Sequence, residues 1–244
     1  MQSIVKWLRE RVESAGAKGL VLGLSGGVDS AVVGALVRKA FPENSKGLIL
    51  PCYSSPQDVE HGKRVAEALG LSYDVLNLTQ AHQTIMEGFH FAKSEDADAE
   101  NHAKSLRASD SNLRARLRMS AIYAFANYHG YLTVGTDNAA ELHIGYFTKY
   151  GDGGVDLLPI AELLKCEVFM MARMLGIPKE VVYKAPSAGL WEGQTDEGEI
   201  GVRYDEIDCI LMGERVDESS KEIVARMHRN SEHKRQTPPY PKLK

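Results

Sequence analysis

The sequence predicts an α/β protein, a doubly wound parallel sheet of about five strands with helices on both faces. Two patterns lead there. Short apolar runs of strand character alternate with longer segments of helical periodicity, and a glycine-rich turn, Gly23-Leu-Ser-Gly-Gly-Val-Asp-Ser30, stands where the first run hands over to a helix. With 244 residues, 43% hydrophobic and 25% charged, the chain can bury a sizeable core.

The elements follow in order. MQSIVKWLRERVESAG places Ile4, Val5, Leu8 and Val12 at helical spacing among charges, which predicts an amphipathic helix rather than the apolar stretch of a leader. GLVLGL reads as a buried strand, Ser30 to Lys39 as a helix, KGLILPCY as a strand, and Pro56 to Leu69 as a helix opening on Pro and acidic residues. YDVLNL is a third strand, with a helical segment from Thr79. The polar stretch KSEDADAENHAKSLRASDSN then predicts a solvated, mobile loop over 93–111, and a lid if it has a function. NLRARLRMSAIYAFANYHG predicts a helix from Asn112 that ends at Gly130, and YLTVGT a fourth strand. His143 to Ile160 is glycine-rich and loop-like. Helices resume at Glu162–Leu175, Tyr204–Met212 and Asp217–Asn230, before the basic, Pro-rich end HKRQTPPYPKLK. No repeat or boundary divides the chain, so a single domain over 1–244 is expected.

Composition excludes several classes. A net charge of -4 gives no electrostatic case for nucleic acid. No run approaches the ~18–20 apolar residues of a membrane span. Cys52, Cys166 and Cys209 show no CxxC spacing, which argues against a disulfide framework or a zinc site and fits a reducing cytoplasm. Small-molecule partners are expected.

In an open parallel sheet, ligands bind beyond the carboxyl ends of the strands, where strand order reverses. GLSGGVDS lies at such a point. Its paired glycines let the backbone approach an anion, the following helix N-terminus favours negative charge, and Ser25 and Ser30 add hydroxyls, so a pyrophosphate is the implied guest. Asp29 would repel it unless a cation such as magnesium intervenes; alternatively Asp29 only caps the helix. If the first and fourth strands are neighbours, GTDNAAE faces GLSGGVDS and Glu141 can join Asp29 on the metal. Asp137 or Glu141 alone reads as a charge favoured at a helix N-terminus.

Together these phrases resemble one family. SGGVDS resembles the N-type ATP pyrophosphatases. NLRARLRM, VGTDNAAE, FTKYGDGGVDLLPIAELLK, PSAGLWEGQTDEGEIGVRYDEID and EHKRQTPP together are similar to the NAD synthetases, in order and over nearly the whole chain. The resemblance implies an adenine nucleotide alpha hydrolase-like fold and a carbon–nitrogen ligase. Such an enzyme converts deamido-NAD, ATP and ammonia into NAD, AMP and pyrophosphate through an adenylated carboxylate. It assigns Gly23, Leu24, Ser25, Gly26, Gly27, Val28, Asp29, Ser30, Thr136, Lys165 and Ser187 to ATP, Asp29 and Glu141 to Mg2+, and Asp29, Glu141 and Lys165 to catalysis. Asn112, Arg116, Lys149, Asp152, Asp156, His233 and Lys234 fall to the dinucleotide, with Arg118 a further candidate on the Asn112 helix. It also implies a cytoplasmic homodimer with the dinucleotide at the subunit interface. No glutamine amidase domain precedes the first strand, so free ammonia is the expected nitrogen source. Two departures stand out: Asn138 where family members often have histidine, and Gly189 where they often have aspartate. A change of acceptor on the same adenylating site, or a silent nucleotide sensor, are the competing readings.

Overall fold

The computed structural model describes residues 1–89, 99–187 and 195–242. Helix α1 (Gln2–Ser14) lays Leu8 and Val12 into the core and leads to β1 (Gly19–Gly23). Then follow α2 (Val28–Ala40), β2 (Ser45–Ile49), α3 (Pro56–Leu69), β3 (Tyr73–Val75) and α4 (Thr79–Gly88). The long α5 (Ala99–His129), β4 (Tyr131–Val134) and α6 (Ala139–Ile144) complete the central layer. The C-terminal part is helical: α7 (Lys165–Met174), α8 (Lys179–Val182), α9 (Asp196–Ile200), α10 (Tyr204–Leu211), α11 (Glu218–Asn230) and α12 (Glu232–Arg235).

Among the described residues the sheet has four strands, all parallel, in the order β3-β2-β1-β4. A fifth position is marked by one parallel bridge, Val134 to Leu157. Along β1 the side chains alternate between two cores. Leu20 and Leu22 pack with α1, α2 and α7, whereas Val21 packs on the other face with Leu48, Leu50 and Ala126 of α5. The buried α2 is apolar nearly all round, as a helix covered on every side must be. A smaller cluster joins Ala140 and Ile144 of α6 to Ile200, Tyr204, Ile207 and Val224, so α6 rides on the C-terminal helices.

The start of α5 corrects the expected loop. Residues 99–111 are helical, and residues 93–98 of the expected lid lie outside the described residues. From 99 to 129 the chain has neither Gly nor Pro, and it carries ion pairs at i,i+4, Glu100–Lys104 at 2.8 Å and Asp110–Arg114 at 2.6 Å. Its Ser and Asp content suggested a loop, but nothing in it breaks a helix. No helix among the described residues is long and apolar enough to cross a membrane.

Candidate active site

The turn after β1 is shaped by its glycines and serines. Gly26 adopts φ +78°, and a Cβ there would stand 2.5 Å from the Asp58 carbonyl oxygen of α3, so only glycine fits. Ser25 and Ser30 lock the turn: their hydroxyls are 3.0 Å apart, Ser25 N–H donates to Ser30 Oγ at 3.2 Å, and Gly27 N–H donates to Ser25 Oγ at 3.2 Å. Gly27 is the N-cap of α2 and brings no side chain to the first turn. The opening N–H groups of α2 are therefore left for an anion. Asp29 is not the cap, which corrects that alternative. Its carboxylate points instead to Asn138 and Lys165.

Because β4 lies beside β1, the turn after β4 meets this loop. Asn138, fully buried, is the N-cap of α6. It accepts from Glu141 N–H at 3.1 Å, while Glu141 Oε2 accepts from Asn138 N–H at 3.1 Å, a reciprocal capping box. Asn138 Nδ2 then donates to Asp29 Oδ1 at 2.9 Å. One carboxamide fixes both acidic side chains.

Lys165, 2% exposed, opens α7 and sends its ammonium between them, 2.7 Å from Asp29 Oδ2 and 3.4 Å from Glu141 Oε1. Asp208 of α10 accepts the N–H groups of Lys165 at 3.0 Å and Cys166 at 2.9 Å, a cap supplied from 43 residues downstream of Lys165. The Tyr204 ring lies 4.5 Å from the Lys165 ammonium, and its hydroxyl is 3.1 Å from Glu141 Oε1 and 3.2 Å from Asp196 Oδ2. Tyr146 ties Asp196 to Glu199 in the same way. Burial, reinforced by Asp29, pushes the Glu141 carboxyl up to about 7. Burial opposes the charge on Lys165, but Asp29 and Glu141 outweigh it and raise its pKa.

Asp29, Glu141, Tyr146 and Asp196 face a cavity of about 560 Å³. Of the residues expected at ATP, Gly23 to Ser25, Gly27 to Ser30, Thr136 and Ser187 line it, while Gly26 and Lys165 lie behind its wall. Of those expected at the dinucleotide, Asn112, Asp152 and Lys234 line it; Arg116, Lys149, Asp156 and His233 do not. Arg116 donates to the Lys149 carbonyl at 3.3 Å, and the Lys149 ammonium reaches the His233 carbonyl. Lys234 donates to the carbonyls of Gly145 at 2.7 Å and Phe147 at 2.6 Å, so the tail pins the loop after α6. Asp156 is spent on Thr133 N–H and Oγ1 and on the Tyr123 hydroxyl. Asp152 accepts from Thr148 N–H at 2.9 Å, and burial raises its pKa. Arg118 lines the cavity and braces β2, donating from Nε to the Leu50 carbonyl at 3.0 Å. Position 189 lies outside the described residues.

Sequence reasoning missed Asn138, Tyr204, Asp196 and Asp208 as parts of this assembly. The first was visible as a capping residue in NAAE; the others act across the fold and leave no local signal. Asp137, read only as a helix-terminal charge, is 5% exposed on the cavity wall, and its Oδ2 has no hydrogen-bond partner among the described residues. Burial, with Asp152 and Glu141 adding like charge, raises its pKa well above the carboxylate range.

A parallel sheet with a phosphate-shaped turn, a helix N-terminus and two carboxylates meeting one buried lysine defines a nucleotide-handling α/β enzyme. The comparisons narrow the class. Residues 1–238 match the NAD synthase family, and the chain belongs to it. It is 56% identical over 244 residues to the NH(3)-dependent NAD(+) synthetase of Alkaliphilus oremlandii, covering 100% of this chain and 96% of that protein. The solved NMN synthetase of Francisella tularensis superposes with a TM-score of 0.91 at 37% identity, covering 99% and 97% of the two chains. The NH3-dependent NAD synthetase of Campylobacter jejuni does so with a TM-score of 0.76 at 26% identity, covering 99% and 96%.

Proposed function

We propose that this protein is an ammonia-dependent NAD synthetase, a ligase that adenylates the carboxylate of deamido-NAD with ATP and replaces AMP by ammonia. The observation that carries the reading is the convergence of the Ser25–Ser30 turn, Asp29 and Glu141 on one cavity, with Lys165 bonded to both carboxylates from behind, in a chain whose kinship spans its full length. Hydroxide is a poor leaving group, so the carboxylate must be activated first. The N–H groups of residues 28–30 suit the phosphates, and Lys165 holds Asp29 and Glu141 in place from behind. The carboxylate oxygen attacks the α-phosphorus as pyrophosphate leaves; ammonia then attacks the acyl carbon as AMP leaves.

Asp29 and Glu141 are our candidates for Mg2+. Among the described residues no group of three or more His, Cys, Asp or Glu could hold a metal alone. Two carboxylates beside a phosphate turn do suit magnesium, which takes one or two carboxylates plus phosphate oxygens. When bound there with the nucleotide, it would supply positive charge against the α-phosphate. Arg116, Lys149 and His233 stand off the cavity, which supports a dinucleotide site completed by a second subunit of a homodimer. Cytoplasmic residence fits the substrates.

The likeness to the Francisella NMN synthetase favours a second reading, in which the acceptor is the corresponding deamidated mononucleotide. One assay separates them: purified protein with ATP, magnesium and ammonium or glutamine, and either acceptor, following the amide product, AMP and pyrophosphate. Equal amounts of all three from deamido-NAD with ammonium are expected. Faster turnover of the mononucleotide would move the acceptor assignment, and no ATP consumption with either would overturn the synthetase reading.

A further inference from the structure

Asp137 is an acidic side chain of the cavity wall that the proposed reaction leaves without a task, and its position is costly. Its Oδ2 has no hydrogen-bond partner among the described residues, in a chain where Asp29, Glu141 and Asp152 are each engaged. A buried acceptor left bare costs roughly 1–3 kcal/mol, and such an atom calls for a missing donor. The nearby cation offers none: Lys234 is spent on the Gly145 and Phe147 carbonyls.

The chemistry of the missing donor is restricted. Burial and the like charge of Asp152, Glu141 and Asp29 make the surroundings of Asp137 hostile to a further negative group, which disfavours the anionic parts of both substrates there. What remains is a small group with N–H or O–H to donate. Its place is restricted too. Asp137 precedes Asn138, which holds Asp29 and Glu141 at the nucleotide end, and it lines the same cavity wall as Asp152 at the acceptor end, whose like charge it feels. In the proposed reaction an adenylated carboxylate would join these two ends, which would put its acyl carbon at this junction.

We infer that Asp137 is the residue that seats the nitrogen nucleophile, its unpartnered Oδ2 accepting an N–H of ammonia so that the nitrogen lone pair faces the acyl carbon. The inference rests on the synthetase reading, and the test keeps the two apart. Acceptor-dependent exchange of pyrophosphate into ATP reports adenylation alone, without ammonia; the full reaction reports the ammonia step.

Wild-type protein must first show exchange, and its failure would sink the synthetase reading, not this one. Asp137→Asn keeps the shape of the side chain. It is expected to hold the exchange rate within about twofold of wild type while kcat/KM for ammonium falls about 10- to 100-fold, the cost of leaving one buried hydrogen bond unmade. The rise should sit in KM for ammonium rather than in KM for ATP. If Asp137→Asn does not fold by circular dichroism, Asp137→Ser, smaller and polar, is read in the same way. Exchange and ammonium kinetics falling in parallel would place Asp137 at the nucleotide or its metal. Unchanged ammonium kinetics in a folded variant would make it a spectator, and either result overturns the inference.

Discussion

The two ends of the cavity are finished to different degrees. At the nucleotide end Ser25, Ser30, Asp29, Asn138, Glu141 and Lys165 come from distant parts of the chain and are already bonded to one another. At the acceptor end Lys149 and Lys234 hold main-chain carbonyls, Arg116 bonds a carbonyl outside the cavity, and His233 is exposed. One end is preorganised within the chain. The other is a scaffold whose cations brace loops, with Asn112, Asp152 and Lys234 on the cavity wall but Arg116, Lys149 and His233 away from it.

This contrast can be broken at either end. The largest effect is expected from Asp29→Asn, which should cut turnover about a thousandfold while the fold is retained by circular dichroism, as losses of preorganised charge at reacting phosphates do. Equal turnover would show that the nucleotide end is not where charge is handled. Next comes Lys165→Met, which strands Asp29 and Glu141 without their buried cation. It should lose about 3–5 kcal/mol in urea unfolding, the cost of breaking a buried pair from one side. A loss under about 1 kcal/mol would mean that solvent already screens the pair.

At the acceptor end Lys149→Ala should act more gently, raising KM for the acceptor about tenfold with KM for ATP unmoved. The opposite pattern would exchange the two ends. The smallest effect concerns pH. Glu141 titrates near 7 in the folded protein, above its unfolded value, so the folded state binds more protons between about pH 4.5 and 7. This carboxyl therefore lowers stability as pH rises through that window. Melting of the ligand-free protein should fall from pH 5 to 8, and Glu141→Gln should flatten the slope; identical slopes would remove Glu141 as its source.

Much of this was legible in the chain. The alternation of GLVLGL, KGLILPCY, YDVLNL and YLTVGT with helical segments gave the parallel sheet, whereas placing GTDNAAE beside GLSGGVDS was conditional on β4 lying next to β1, as the structure has it. The start of α5 was not legible, because Ser, Asp and Asn weigh toward loops while the i,i+4 pairs that hold 99–111 helical are weak signals. Local pattern announces Asn138 as a cap, since NAAE is a capping box, but its third bond spans 109 residues and only the fold reveals it. The same holds for Tyr204 on Glu141.

The cap that Asp208 places on α7 has a consequence for synthesis of the chain. A growing polypeptide that has emerged only through Ile160 holds the glycine turn, Asp29 and Glu141, yet neither Lys165 nor the residue that anchors its helix. Its two carboxylates lack the lysine that pairs them in the finished fold. The nucleotide end therefore closes late, after the C-terminal helices have docked, and an unfinished chain on the ribosome carries the turn but not the enzyme.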